Sequence, residues 1–495
     1  MTASYDETDV LVVGAGPAGL LLAGELRLGG VTVVVVDRLL EPTGESRASQ
    51  LNARTLEIFD QRGLLPRLGE LQAEGAGHFG GLPLDVSRVP SRHAGYWKIP
   101  QFRTEMMLGD WAAELGADIR RGHELLGMST HPHHVEAEIG GAAGTGRIRA
   151  KFLVGCDGEH SAVRRLAGFD FPGTPATREL VRADVEGIDI PARRFERFDN
   201  GLAISGRRGD GVTRVMFHAF GDTPGEGSST PDFGDVVEGW AKITGEDIGD
   251  GKPLWVDSFD DTSRQAARYR KDRVLLAGDA AHVQLPAGGQ ALNLALQDVM
   301  NLGWKLVAQV RGRAPAGLLD TYHDERHPVG VRILANVQAQ AHLLLGGPEA
   351  GGARGVFGEL LELDEARTHL AVTLSGLDVR YPTGPGDHPL LGTRMPHCEL
   401  ETTGGPSSTT ALLHNGGGVL LSLSTQAAAQ SGLRAIAANR ADRISVVTAR
   451  AAPDSPLAGV GAVLLRPDGH VAWIDGGATE LHNALYRWFG GPALH

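Results

Sequence analysis

The sequence predicts a mixed α/β fold that opens on a parallel βαβ unit, and three observations predict it. An apolar run ends in Gly-x-Gly-x-x-Gly at Gly14, Gly16 and Gly19, a helix-compatible stretch follows, and a second apolar run, Val31 to Val36, ends in Asp37. Between Glu179 and Arg270, short alternating stretches separated by Gly/Asp/Pro turns have the period of antiparallel strands. Beyond a Pro/Gly-rich linker, Tyr381 to Pro389, strand-like and helix-like segments alternate again as a small α/β unit.

Each part of the opening unit has a physical role. Gly14 permits the tight turn from strand to helix, Gly16 lets the main chain approach a pyrophosphate, and Gly19 lets the helix pack closely on the sheet. Pro17 and Ala18 complete this loop. The helix N-terminus offers free N–H groups and a positive dipole end to an anion. Asp37 stands where a carboxylate accepts hydrogen bonds from a ribose diol, and Arg38 follows it. The pattern is a Rossmann-like fingerprint for an adenine dinucleotide, and it fits NAD as well as FAD.

Two later segments repeat the strand-into-turn pattern. Phe152 to Gly155 is apolar and runs into Cys156-Asp157-Gly158, with Ser161 and Arg164 at a helix start. Arg273 to Ala277 is another buried strand, which delivers Gly278-Asp279 and then His282. Pro286, Gly288, Gly289, Gln290, Ala291 and Leu292 follow, a loop whose N–H groups face a ligand at the start of a helix. Tyr322-His-Asp-Glu325-Arg326-His-Pro328 is a polar break before a long helical segment.

Together these motifs resemble those of the class A flavoprotein aromatic hydroxylases, the group that includes para-hydroxybenzoate hydroxylase. The similarity spans nearly the whole chain and is closest to the hydroxylases of angucycline- and anthracycline-type aromatic polyketides. The resemblance implies non-covalent FAD, with Asp279 at the ribityl hydroxyls, Gln101 near the flavin and Arg47 near the pyrophosphate. It implies NADPH as reductant, O₂ as co-substrate, and hydroxylation of a polycyclic aromatic polyketide in antibiotic biosynthesis through a flavin hydroperoxide. The alternatives are oxygen insertion of the Baeyer–Villiger type, oxidation that inactivates an antibiotic, and a flavin-binding protein without turnover. These hydroxylases usually carry a glycine where this chain has Ala291, a change that bears on flavin mobility and is tolerated if the residue keeps helical angles.

The resemblance also implies the organisation. Residues 1–175 and 270–380 form a discontinuous FAD-binding domain, and 176–269, joined by about 72–100, a substrate-binding β-sheet domain. Residues 390–495 form a thioredoxin-like C-terminal domain, which lacks paired cysteines for dithiol chemistry. Gln290 to Val307 reads as a buried helix and Asp320 to Leu345 as a second, with Gly346-Gly-Pro348 and Gly351-Gly352 breaking the pattern. Phe79, Tyr96, Trp97, Met216 and His218 are candidate pocket walls. No second Gly-x-Gly-x-x-Gly stands between a strand and a helix (Gly75-Ala-Gly77-His-Phe-Gly80 runs into Gly-Leu-Pro), so the nicotinamide would bind in a groove for which Arg47, Asp157 and Arg164 are candidates. No catalytic base is identified, and His282 is assigned a structural hydrogen bond.

Composition narrows the class. The 495 residues carry a net charge of −13, which argues against nucleic acid or an anionic membrane as partner. A small-molecule partner fits, and a homo-oligomer is allowed. No apolar run reaches the length of a membrane span, and the first residues lack the basic start of a secretory signal, so a cytoplasmic location is expected. Cys156 and Cys398 are far apart, which argues against a zinc site or disulfide scaffold. His131-Pro-His133-His134 reads as a solvated hairpin turn, since no acid stands at ligand spacing, and no metal is expected.

Overall fold

The computed structural model describes residues 5–42, 50–222 and 231–491. The fingerprint folds as β1 (Asp6–Val13), α1 (Pro17–Leu28) and β2 (Val33–Asp37), followed by α2 (Gln101–Glu114) and β3 (Gly144–Gly155). β4 (Val274–Leu276), α3 (Gln290–Val310) and α4 (Thr321–Leu345) complete the cofactor layer. The parallel sheet runs Asp118–Arg121, β2, β1, β3, β4, with the short antiparallel strand Arg270–Lys271 at its edge. Leu11, Val12, Leu153, Val154 and Leu275 are buried in a core to which α1, α2 and α3 contribute Leu21, Leu108 and Leu302, and the hairpin Glu124–Thr130/Val135–Gly141 contributes Leu125 and Ile139.

Register decides where the site lies. Val13 pairs with Val36 on one side and Gly155 on the other, and Gly155 pairs with Leu276. The four central strands therefore end level with one another. Gly14, Asp37, Cys156-Asp157 and Gly278-Asp279 all leave the sheet at its carboxyl edge, the usual ligand crevice of such sheets.

The middle segment forms a five-stranded antiparallel sheet in the order Arg193–Phe198, Gly201–Arg207, Thr213–Ala219, Glu179–Glu186, Lys252–Asp260. Its alternation separates two faces. Leu202, Ile204 and Met216 pack towards α3, α4 and the loop at Leu285, while Ala203, Val215 and Phe217 pack on a helix, Phe233–Thr244. That helix departs from the expected all-strand segment. Asp232 and Asp235 form a capping box at its start and Gly245 closes it in the left-handed conformation. Gly351-Gly352 likewise do not break a helix but open one, Gly351–Leu361.

The C-terminal unit pairs Gly418–Ser422 in parallel with Ile444–Ala451, across the helix Ala427–Ala437, and antiparallel with Ala462–Leu465. Val471–Ile474 pairs with Ala462–Leu465, and the helix Ala478–Phe489 follows, the thioredoxin-like arrangement. The run expected from Ala462 to Trp473 is thus a hairpin, bent at Arg466–His470. Among the described residues no helix is long and apolar enough to cross a membrane.

Candidate active site

At the first turn Gly14 has φ +105°, and a Cβ there would lie 2.2 Å from the Cys156 carbonyl oxygen. A Cβ on Gly19 would lie 1.9 Å from the Gly14 oxygen, so helix and turn touch main chain to main chain. Gly16 differs. Among the described residues no atom stands within 4 Å of its Cβ position, and it caps α1 without a side-chain hydrogen bond. The uncapped N–H groups of α1 therefore face space that no described residue fills, as an anion site requires. Pro17 is the first residue of the helix and Ala18 the second. Asp37 accepts the N–H of Ala15 (2.6 Å) and of Leu39 (2.8 Å), which fixes its carboxylate beside the turn; Arg38 is exposed next to it.

The second turn is braced from within. Asp157 accepts the Ser161 hydroxyl (2.6 Å) and the Val163 N–H (3.1 Å), and burial raises its pKa. Its carboxylate thus holds the turn itself, a use that motif spacing did not show. Arg164 is buried, and donates to the carbonyls of Ala280 (3.0 Å) and Glu159 (2.5 Å). It ties the second turn to the third. Arg47 lies outside the described residues.

The third turn places Gly278 in the core and Asp279 exposed at the carboxyl edge. After exposed Pro286, Gly288 (φ +63°) and Gly289 (φ +65°) are successive left-handed residues, and Gln290 starts α3. Such a bend directs successive N–H groups to one side, towards a ligand. Tyr96 donates to the Gly288 oxygen (3.4 Å), and Asn293 donates to the Gly289 oxygen (2.6 Å) and accepts from the Asn52 N–H (3.0 Å) and the Thr55 hydroxyl (2.7 Å). Ala291 and Leu292 are half-buried in the first turn of α3. Ala291 is not among the positive-φ residues, so the missing glycine imposes no strain. Gln101 starts α2 and donates to Glu105 (2.8 Å). His282, fully buried, bonds Asp298 through Nε2 (2.7 Å), the structural role expected of it.

Between this turn and the middle sheet lies an apolar wall that includes Leu180, Met216, Leu285, Ala287, Leu294 and Ile333. His218 bonds the Glu179 carbonyl (2.8 Å) on the same sheet face as Met216. Phe79 and Tyr96 belong to a neighbouring cluster, and Trp97 pairs with Ala73 and Leu51. Two residues here escaped the sequence. Phe195 has φ +56°, a strained angle for an aromatic residue, at an irregularity in its strand, and its ring lies 4.2 Å from that of His78. Burial, with Arg194 nearby, brings His78 down to about 4. Its Nδ1 accepts the Gly81 N–H (3.2 Å), so Nε2 carries the ring proton and His78 is a neutral donor at pH 7, not a base.

The hairpin at His131 is where it was expected, with the His131 N–H on the His134 carbonyl (2.8 Å). The acid missing from the spacing does arrive. The following strand brings Glu136 to 3.1 Å from His134, where it also pairs with Arg149 (2.9 Å) and Tyr5 (3.1 Å).

Residues 7–337 match the model of the FAD binding domain family, and residues 388–492 that of the aromatic-ring hydroxylase C-terminal family. The chain belongs to the FAD-binding aromatic-ring hydroxylases. The hydroxylase is 41% identical to the 12-dehydrotetracycline 5-monooxygenase/anhydrotetracycline 6-monooxygenase of Streptomyces rimosus, over 98% of this chain and 99% of that one. It is 40% identical to a rifampicin monooxygenase of Streptomyces venezuelae, over 97% and 98% of the two chains. Its fold matches the crystal structure of CabE, an aromatic hydroxylase from angucycline biosynthesis, with a TM-score of 0.94 and 49% identity over 98% of this chain and all of that one.

The geometry fits the cofactor that this family binds. The space before Gly16 suits a pyrophosphate, Asp37 a ribose, and the bend at Gly288-Gly289 the polar edge of a flat ring. A Cβ at Gly288 would meet the Gln340 side-chain amide at 3.0 Å, and the positive φ disfavours any side chain there.

Proposed function

We propose that this hydroxylase adds a hydroxyl group to a polycyclic aromatic polyketide in antibiotic biosynthesis, with NADPH as reductant and O₂ as co-substrate. The observation that carries the reading is the apolar cluster between the Gly288-Gly289 bend and the middle sheet, which would present Leu285, Leu294 and Met216 to an apolar ring system. The whole-length similarity to a tetracycline-type monooxygenase and to an angucycline hydroxylase supports it. FAD, when bound, supplies the redox chemistry that activates O₂ for transfer to an electron-rich ring.

The chain's own residues position and shelter. Gly14, Gly16, Pro17, Ala18 and Gly19 would hold the pyrophosphate, and Asp37 and Arg38 the adenosine side. Asp279, with the N–H groups from Gly288 to Leu292, would hold the ribityl chain and the flavin edge. Gln101 and Arg47 are assigned the remaining contacts. Leu285, Leu294 and Met216 exclude water from one side of the ring, which limits loss of the activated oxygen. His78 can donate Nε2–H to a substrate carbonyl or phenol oxygen, and thereby orient the ring. NADPH would bind transiently in a groove of the cofactor layer. Arg164, already held by two carbonyls, contributes little to it.

The test is NADPH oxidation over a panel of polycyclic phenols and quinones, with the products weighed. The expected result is acceleration by some of them and a product one oxygen atom heavier with its rings intact. A ring-opened or lactone product would favour oxygen insertion, and oxidation of a finished antibiotic would favour the alternative of antibiotic inactivation. No acceleration by any aromatic compound would overturn the reading.

A further inference from the structure

The C-terminal unit touches the cofactor layer through buried side chains. Arg466 pairs with Glu325 (2.6 Å) and with Asp468, and Lys305 pairs with Glu325 (2.7 Å). Arg54 reaches the Asp468 carbonyl (3.0 Å), and Arg62 reaches those of Leu413 and Pro467 (2.9 Å each). This is more buried charge than docking a domain requires, since apolar packing would hold it as well.

One branch of the network leads out of the interface to the third turn. Asp298, fully buried on α3, accepts the Gly278 N–H (3.3 Å) and His282 Nε2 (2.7 Å) on one oxygen, and Arg326 Nε (2.7 Å) on the other. Gly278 is the residue before Asp279. Arg326, fully buried on α4, donates from Nη1 to the Tyr381 hydroxyl (3.0 Å). Tyr381 sits in the linker between the two units. Its N–H bonds the Gly392 carbonyl (2.9 Å), the Gly392 N–H bonds that of Val471 (2.9 Å), and its ring lies 4.4 Å from that of His470. An unbroken series of contacts therefore joins the C-terminal hairpin to the main chain of the turn.

We propose that Asp298, Arg326 and Tyr381 are positioning residues for the FAD site, and that through them the docked C-terminal unit sets the conformation of the Gly278-Asp279 turn. None of the three is assigned a contact with the cofactor. Asp298 fixes the turn, Arg326 fixes Asp298, and Tyr381 fixes the guanidinium plane of Arg326 against the C-terminal unit. The C-terminal unit, which has no dithiol chemistry of its own, thereby acquires a role in cofactor binding. The inference rests on FAD occupying the three turns.

The test uses the full-length chain and compares Tyr381→Phe, Asp298→Asn and Arg487→Ala. Arg487 donates to the Pro382 carbonyl (2.8 Å), beside Tyr381 but outside the series, and serves as control. FAD affinity by fluorescence titration and the visible circular dichroism of bound flavin are read together with the melting temperature of the apoprotein. Tyr381→Phe removes one hydroxyl and no packing volume, so it folds even if Asp298→Asn does not. The expected result is a three- to tenfold weaker FAD affinity and an altered flavin dichroism for Tyr381→Phe, a larger change for Asp298→Asn, and the parent's values for Arg487→Ala. Parent-like affinity and dichroism in Tyr381→Phe would overturn the proposal, as would an equal change in Arg487→Ala. A parent chain that binds no FAD would instead overturn the reading on which it rests.

Discussion

Gly16→Ala separates cofactor binding from folding more cleanly than any other change at the site. Gly16 has φ −77° and ψ −178°, angles that alanine adopts without strain, and its added Cβ meets no atom of the described residues within 4 Å. The apoprotein loses only the modest preference for glycine over alanine at an N-cap, about 0.5–1 kcal/mol, or about 2 °C in a chain of this size. The cofactor loses far more. The methyl group occupies the space where a pyrophosphate would approach the α1 N-terminus, and each charge-assisted main-chain hydrogen bond lost costs about 1.5–3 kcal/mol. One such loss weakens FAD binding about 10- to 100-fold. Thermal melting of the apoprotein and FAD titration by fluorescence quenching measure the two effects separately. Gly19→Ala is the contrast, because its Cβ would lie 1.9 Å from the Gly14 oxygen and must disturb the fold. A Gly16→Ala chain with parent-like FAD affinity, or one that melts 10 °C or more lower, would show that the open space before α1 is not the pyrophosphate site (~10 °C far exceeds any cap effect).

Three further outcomes follow from the same structure. Arg466→Met leaves Glu325 and Asp468 buried beside Lys305 alone, so stability should fall by about 3–5 kcal/mol, read by denaturant unfolding; an unchanged midpoint would mean the interface is wetter than it looks. Burial holds His470 near 4, so on unfolding it takes up a proton between pH 6.5 and about 4. The unfolded chain then binds more protons, stability rises with pH through that window, and up to about 3 kcal/mol is lost on acidification; melting temperatures against pH should show a shallower acid limb in His470→Gln. Met216→Ala removes apolar contact of about 1–2 kcal/mol from the wall, so the KM for an aromatic substrate should rise about 5- to 30-fold with FAD affinity unchanged. An unmoved KM would place the substrate elsewhere.

What the sequence made legible was local. The spacing of Gly14, Gly16, Gly19 and Asp37 encodes a strand, a turn and a helix in one stretch of chain, and the register of β1, β2, β3 and β4 places it beside the other turns. Alternation in Val181–Val185 and Val212–Phe217 marked strands of the middle sheet, and the fold adds their pairing, with Ala183 opposite Val215. The helix Phe233–Thr244 was missed although Asp232, Asp235 and Gly245 are ordinary cap residues, because the surrounding Gly/Asp/Pro turns resemble strand punctuation. Partnerships set by the tertiary fold were not legible. Asp157, a cofactor-site candidate, also braces its own turn, and Arg164, a candidate for the nicotinamide groove, holds two carbonyls. Asp298 and Arg326 sit 28 positions apart on separate helices, so no local pattern pairs them. The strain at Phe195 arises from an irregular strand and carries no composition signal.

Isotope labelling of the transferred oxygen tests the proposed chemistry most directly. The purified chain, reconstituted with FAD, is given NADPH and a polycyclic phenol under heavy-oxygen gas in ordinary water, and the product is weighed. One heavy oxygen atom per product, on an intact ring, is the predicted result. Oxygen drawn from water, or product formed equally well without FAD, would contradict it.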